Sequence, residues 1–262
     1  MTELTVTTFG GVAIQLGEQA LTSVLPVKAA ALLVYTLRQG RAQTREHLAA
    51  LLWPESSQER ASGNLRMALA GLREHVPSAV EISRTDVRAF GALDASTFEA
   101  ELDALKAELS GARKLSAESL LRLDSALRLY SGDFMAQFAL NDSPPFEAWL
   151  LNEREALRRR YVGAAGVLID AYRAQKRYRE GIDWALRLLN ADPPHGETHR
   201  RLMLLYVTSG DRTSALSQFE TCQTMLWDEL GVEPEDETIA LYEDIASGKV
   251  ESAPAPVSVG KA

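Results

Sequence analysis

Two runs decide the fold: Thr44-Arg-Glu-His-Leu-Ala-Ala-Leu-Leu-Trp-Pro54 and Gln58-Glu-Arg-Ala-Ser-Gly-Asn-Leu-Arg-Met-Ala-Leu-Ala-Gly-Leu-Arg-Glu-His-Val76. In the first, Leu48, Leu51 and Leu52 recur at helical spacing. Thr44 stands at the N-cap, and His47 holds the box position where Glu or Gln is usual, so the capping box is half matched. Trp53-Pro54 ends this helix. In the second run Ala61, Leu65, Ala68, Leu69, Leu72 and Val76 share one apolar face, and Pro77 stops the helix. Two such helices, joined by a connection at Trp53–Ser57 longer than the tightest turns, predict a helix-turn-helix.

The flanks extend this reading. Ala29–Arg38 predicts a buried helix that starts near Pro26 and ends at Gly40. Ahead of it, Leu4–Phe9 and Val12–Leu16 alternate like strands, separated by Gly10-Gly11, and Ala20–Leu25 follows as a short third strand. Behind the second run, Val80–Ile82 and Val87–Phe90 flank the polar tip Ser83-Arg-Thr-Asp86, a hairpin. Strands, three helices and a terminal hairpin describe a winged helix-turn-helix over residues 1–92.

From residue 93 to 248 the periodicity is helical: Ala95–Leu109, Ala117–Tyr130, Pro145–Gln175, Tyr178–Ala191, Glu197–Ser209, Thr213–Leu230 and Glu237–Ala246. Gly111, Gly132, Pro144, Pro193-Pro194, Gly210 and Gly231 break these pieces. Offset by 34 residues, Leu168 meets Leu202, Tyr172 meets Tyr206 and Gly181 meets Ala215, with Pro193 at the closing position. That is the period of tetratricopeptide helix pairs. The expected fold is therefore mainly α, an N-terminal α+β winged helix followed by an all-α tetratricopeptide-like domain. The Pro/Ala/Ser-rich end, 249–262, reads as a disordered tail.

The chain has 262 residues, 46% hydrophobic and 24% charged, which suits one or two globular domains. The longest apolar stretch, Ala29–Tyr35, is far below the ~20 residues that span a bilayer. The start carries no basic and apolar leader, so no signal peptide and no membrane partner are expected. A single cysteine, Cys222, excludes an internal disulfide and a cysteine metal knuckle, which fits a reducing cytoplasm. The net charge of −8 is unusual for a nucleic-acid binder. It is unevenly placed: residues 1–92 hold nine Lys/Arg against eight Asp/Glu, and the remainder nineteen against twenty-eight.

Several segments carry a family likeness: Phe9-Gly-Gly-Val12, Arg45–Pro54, Ala61–Arg73, Leu129-Tyr-Ser-Gly-Asp-Phe134, Phe146-Glu-Ala-Trp149, Glu153-Arg-Glu155 and Glu229-Leu-Gly-Val-Glu-Pro234. The sequence resembles bacterial transcriptional activators of the Streptomyces antibiotic regulatory protein type across about residues 4–245. The resemblance implies a response-regulator type of winged helix followed by a bacterial transcriptional activator domain. It also implies promoter DNA and RNA polymerase as partners, a homodimer, two heads in tandem on direct repeats, and a cytoplasmic, nucleoid-associated location. The chain departs from the family at Gly71, where an arginine is usual late in the third helix. It also lacks the G-x-x-x-x-G-K-[ST] run of the ATPase that some larger relatives carry. Gly63 and Gly71 each lower helix propensity by about 1 kcal/mol.

The face of the third helix opposite its apolar side presents Arg60, Gly63, Asn64, Met67 and Gly71, flanked by Arg66 and Arg73. A major groove about 12 Å wide admits a helix. Asn64, Arg60 and Arg66 are the base-reading candidates, and Met67 suits a thymine methyl. Arg73 suits a phosphate, as do Thr44 and Arg45 at a helix N-terminus. Arg84 and Arg88 on the hairpin reach toward the minor groove or backbone. The competing reading is an interaction adaptor without specific DNA binding, in which these arginines are solvated or paired with Glu55, Glu59 or Glu74. No enzyme is indicated: carboxylates are scattered, and no G-x-S-x-G or G-x-G-x-x-G run occurs. His195-Gly-Glu-Thr-His199 lacks the Glu that must follow the first His, so no metal and no cofactor are expected. Trp149, Tyr161, Tyr172, Trp184 and Tyr206 are expected to fill core between body helices.

Overall fold

The computed structural model describes residues 3–109 and 115–250. The tail run Ser252–Gly260 and the break at Gly111 lie outside the described residues. The chain divides into two compact units, one formed by residues 1–104 with 125–161 and the other by 105–124 with 162–262.

Unit 1 opens with β1 (Leu4–Thr7), β2 (Ala13–Leu16) and β3 (Gln19–Ala20), an antiparallel meander in which Val6 faces Ile14. Alternation sends Leu4 and Val6 inward and Thr5 and Thr7 outward. The third strand is shorter than Ala20–Leu25. From Leu21 the chain turns, because the N–H groups of Val24 and Leu25 both donate back to the Leu21 carbonyl. The turn feeds α1 (Val27–Gln39), which Pro26 caps and Gly40 ends in the left-handed conformation, φ 63°. Every residue from Ala29 to Leu37 is buried, as an uninterrupted apolar run on a central helix should be.

The two-residue strand β4 (Gln43–Thr44) leads into α2 (Arg45–Leu52), where Thr44 Oγ1 accepts from the His47 N–H at 3.2 Å. The His47 ring does not complete the capping box. Its Nε2 instead bonds the Tyr35 hydroxyl at 2.7 Å. Then α3 (Gln58–His75), capped by Ser57, buries Ala61, Leu65, Leu69 and Leu72. A 3-10 turn at Pro77–Ala79 precedes β5 (Val80–Ile82) and β6 (Asp86–Ala89), and β4 joins them in a sheet of order β4-β6-β5. This is the wing.

β7 (Ala92–Leu93) pairs parallel with β1. Gly91 permits it: at φ 156°, an added Cβ would lie 2.8 Å from the Leu4 carbonyl oxygen. α4 (Asp94–Ala104) follows, then α5 (Lys106–Leu109), so the helix read as Ala95–Leu109 is interrupted at the buried Leu105. Residues 125–161 complete the core of unit 1. Phe9 bridges Phe134 in antiparallel fashion, Ser143 Oγ donates to the Leu51 carbonyl at 2.6 Å, and Arg38 pairs with Glu99 and with Glu153. Phe9, Phe98 and Tyr130 pack as a cluster, and Tyr130 stacks on Tyr161 at 4.2 Å.

The remaining helices are α6 (Ala117–Arg128), α7 (Pro144–Ala174), α8 (Tyr178–Ala191), α9 (Gly196–Thr208), α10 (Arg212–Leu230) and α11 (Asp236–Ser247). Pro144 is the first residue of α7, where its missing N–H is harmless. In unit 2 the 34-residue offset is structural. Leu168 and Leu202 are both fully buried, and a Cβ on Gly181 would sit 2.8 Å from Leu205 Cδ2, so α8 and α9 touch closely. Asp124 accepts from the Tyr172 hydroxyl at 3.0 Å and from the Trp184 indole at 2.7 Å. Tyr161, Tyr172 and Trp184 are buried, whereas Trp149 and Tyr206 are half-buried.

Candidate nucleic-acid interface

All nine residues singled out in the sequence lie at the surface of unit 1. Arg60, Asn64, Arg66, Met67 and Arg73 are exposed along α3, and Met67 keeps 74% of its surface open. Arg84 and Arg88 are exposed on the wing. Thr44 is the exposed N-cap of α2, and Arg45 its first residue; Arg45 is half-buried and its Nη1 donates to the Ser83 carbonyl at 3.2 Å.

The fold brings three of the nine together. A groove of about 800 Å³ runs between α2, α3 and the wing, lined among others by Arg45, Arg66, Arg84, Trp53, Gln58 and Ser62. Glu46 is its one carboxylate, so guanidinium groups outnumber acids three to one. Arg60, Asn64, Met67, Arg73 and Arg88 are exposed outside this groove. Gln58 and Ser62 were missed in the sequence, although stepping back by four from Arg66 reaches both and places them on one ridge of the helix.

The electrostatics of this surface are those of uncommitted cations. Among the described residues, Arg60, Arg66, Arg73, Arg84 and Arg88 form no ion pair, despite Glu55, Glu59 and Glu74 nearby in sequence. Arg88 lies over the Phe90 ring at 4.9 Å. Gly63 and Gly71 face open space, with no atom within 4 Å of an added Cβ, so this side of α3 is slim enough for close approach.

The histidine pair has a structural role. His195 Nδ1 caps α9 by accepting from the Thr198 N–H at 3.2 Å. His199 is buried, with Nε2 on the Pro193 carbonyl at 2.8 Å and Nδ1 on Gln218 at 2.6 Å. Among the described residues no group of three His, Cys, Asp or Glu could hold a metal ion. Cys222 is buried inside α10, and burial pushes its thiol up to about 11, away from reactivity at neutral pH. Among the described residues, no helix is long and apolar enough to cross a membrane.

The bacterial transcriptional activator domain family matches residues 93–246, more than half of the chain. The chain belongs to this family. The match begins after the wing, so the α2–α3 surface stands outside it. Among curated relatives of the activator family, the regulatory protein AfsR of Streptomyces coelicolor is 28% identical over 218 residues, covering 80% of this chain and 21% of AfsR. The chain thus spans about a fifth of the length of that relative. Among solved structures, Mycobacterium tuberculosis EmbR, in complex with a low affinity phosphopeptide, shares the fold at TM-score 0.71 and 19% identity, covering 98% of this chain and 67% of EmbR. With EmbR the chain shares the fold, a winged helix-turn-helix ahead of a tetratricopeptide-like body.

Proposed function

We propose that this activator-family protein binds promoter DNA in a sequence-specific way through the winged helix and raises transcription. The observation that carries the reading is the α3 face: five arginines on α3 and the wing without carboxylate partners, beside a groove lined by Arg45, Arg66 and Arg84. In this reading α3 enters the major groove. Asn64, Arg60 and Arg66 read base edges, and Met67 meets a thymine methyl. Arg73, Arg45 and the N-terminal turn of α2 at Thr44 hold phosphates, while Arg84 and Arg88 track the backbone or the adjacent minor groove. Residues 1–92 act as the DNA-binding module. Residues 93–248 act as the module that dimerises or contacts RNA polymerase. The acidic balance of the chain is compatible with this because the surplus lies beyond residue 92. The reading assigns no catalytic step, and its site of action is the nucleoid in the cytoplasm.

Selection of bound duplexes from a randomised DNA library, followed by anisotropy titration, tests it. A consensus should emerge, bind at least about a thousandfold more tightly than random duplex, and weaken steeply with salt. Asn64→Ala should weaken consensus binding far more than random binding. No consensus, or equal losses on both DNAs, would defeat the reading.

A further inference from the structure

The far end of α10 carries a second exposed surface, in unit 2. α10 has 19 residues and its hairpin partner α9 has 13, so its last turns run about 9 Å past that cover. Residues 227–233 are all exposed, including Trp227 at 62%, Leu230 at 59% and Val232 at 46%. Trp227 and Val232 line a cleft of about 300 Å³ with Gln223, Thr224, Asp228 and Glu233. Leu226, one residue back, is buried, whereas every residue from Trp227 to Glu233 is exposed. Large apolar side chains gathered in one short stretch mark an interaction site.

Charge names the occupant. From 213 to 248 the chain has nine Asp/Glu and not one Lys or Arg. Among the described residues Asp228, Glu229 and Glu233 form no ion pair, while Glu235 is taken by Arg200 and Asp244 by Lys249. Nucleic acid and anionic membranes are repelled by such a surface. A second copy docking face to face sets the same acids against each other, which disfavours a symmetric contact here. A tryptophan and two aliphatics ringed by unpaired carboxylates complement a cationic chain with an apolar anchor.

We infer that this end of unit 2 docks a basic protein segment. Its Lys or Arg side chains pair with Asp228, Glu229 and Glu233, and one aromatic or aliphatic side chain fills the cleft against Trp227 and Val232. The inference does not depend on DNA binding by unit 1.

The test uses the whole chain and three fluorescent helical peptides of equal length, patterned Lys/Leu, Lys/Ser and Glu/Leu. The Lys/Leu peptide should bind at least about tenfold more tightly than either control, and its binding should fall as salt rises. Trp227→Ala and the combined Asp228→Lys, Glu229→Lys, Glu233→Lys variant should each weaken it at least about tenfold. These side chains are exposed, so the far-ultraviolet circular dichroism and melting of both variants should match the parent. Equal binding of the Glu/Leu peptide, unchanged affinity in either variant, or no binding of the Lys/Leu peptide would overturn the inference. So would sedimentation showing a dimer that Trp227→Ala converts to a monomer, because the occupant is then a second copy.

Discussion

The Asp94 carboxylate receives Thr8 three times: the Thr8 N–H lies 2.9 and 2.8 Å from its two oxygens, and the Thr8 hydroxyl 2.5 Å from one of them. The N–H groups of Phe9 and Ala95 complete the set at 3.0 and 2.8 Å. One side chain therefore ties the first turn of α4 to the chain just past β1, where Thr8 is fully buried. Asp94→Ala strands donors that water does not reach, at about 1–3 kcal/mol for a buried group left unpaired. The expected outcome is a denaturant midpoint for unit 1 lowered by about 2–3 kcal/mol equivalent, with Asp94→Asn intermediate because it keeps one acceptor.

His199 sets a pH dependence in unit 2. Burial chiefly, and the charge of His195 in addition, hold its imidazole below the usual 6.5, while the hydrogen bond to Pro193 opposes them. The folded ring is neutral, with Nε2–H donating to the Pro193 carbonyl and Nδ1 accepting from the Gln218 amide. Below pH 6.5 the unfolded chain takes up a proton that the folded chain resists, so this contribution is complete above 6.5 and declines as pH falls toward the lower folded value. Urea unfolding between neutral and mildly acidic pH should show that decline, and His199→Gln should flatten it at the expense of overall stability. An equally steep profile in the variant would assign the dependence to other groups.

Two glycines in helices should respond oppositely to alanine. At Gly181 the new Cβ would meet Leu205 Cδ2 at 2.8 Å, an overpacked contact costing about 1–3 kcal/mol. At Gly63 it meets nothing within 4 Å, so the gain in helix propensity, about 1 kcal/mol, is realised in full. Thermal melts of Gly181→Ala and Gly63→Ala, one below and one above the parent, check both.

What the sequence discloses here is what short range controls. α8 spans Tyr178–Ala191 as the periodicity predicts, and Gly40 and Gly231 end their helices in the left-handed conformation, because caps and apolar spacing act within a few residues. β4 and β7 are invisible to such signals. Each has two residues and exists only through a partner distant in the chain, β4 through β6 and β7 through β1. The same holds for Arg38, whose carboxylates Glu99 and Glu153 come from two later helices. The α3 face divides likewise. Exposure of Arg60, Asn64 and Met67 follows from the positions of Leu65, Leu69 and Leu72, whereas the meeting of Arg45, Arg66 and Arg84 in one groove needs the wing folded back beside α2.

That meeting gives the DNA reading its quantitative consequence. A guanidinium without a carboxylate partner, placed on a phosphate, releases about one counterion, so each contact adds close to one unit to the slope of log affinity against log salt. Arg84→Ala should weaken consensus and random duplex alike and reduce that slope by about one. Arg66→Ala, if the side chain reads a base, should instead cost about 1–3 kcal/mol on the consensus and little on random DNA. Gly71→Arg points a new cation into open space on the same helix, and should raise the affinity for both duplexes while steepening the slope. Titrations of the three variants over a range of salt distinguish these outcomes. Slopes that stay at the parent value in Arg84→Ala and Gly71→Arg would mean that neither position approaches the DNA backbone.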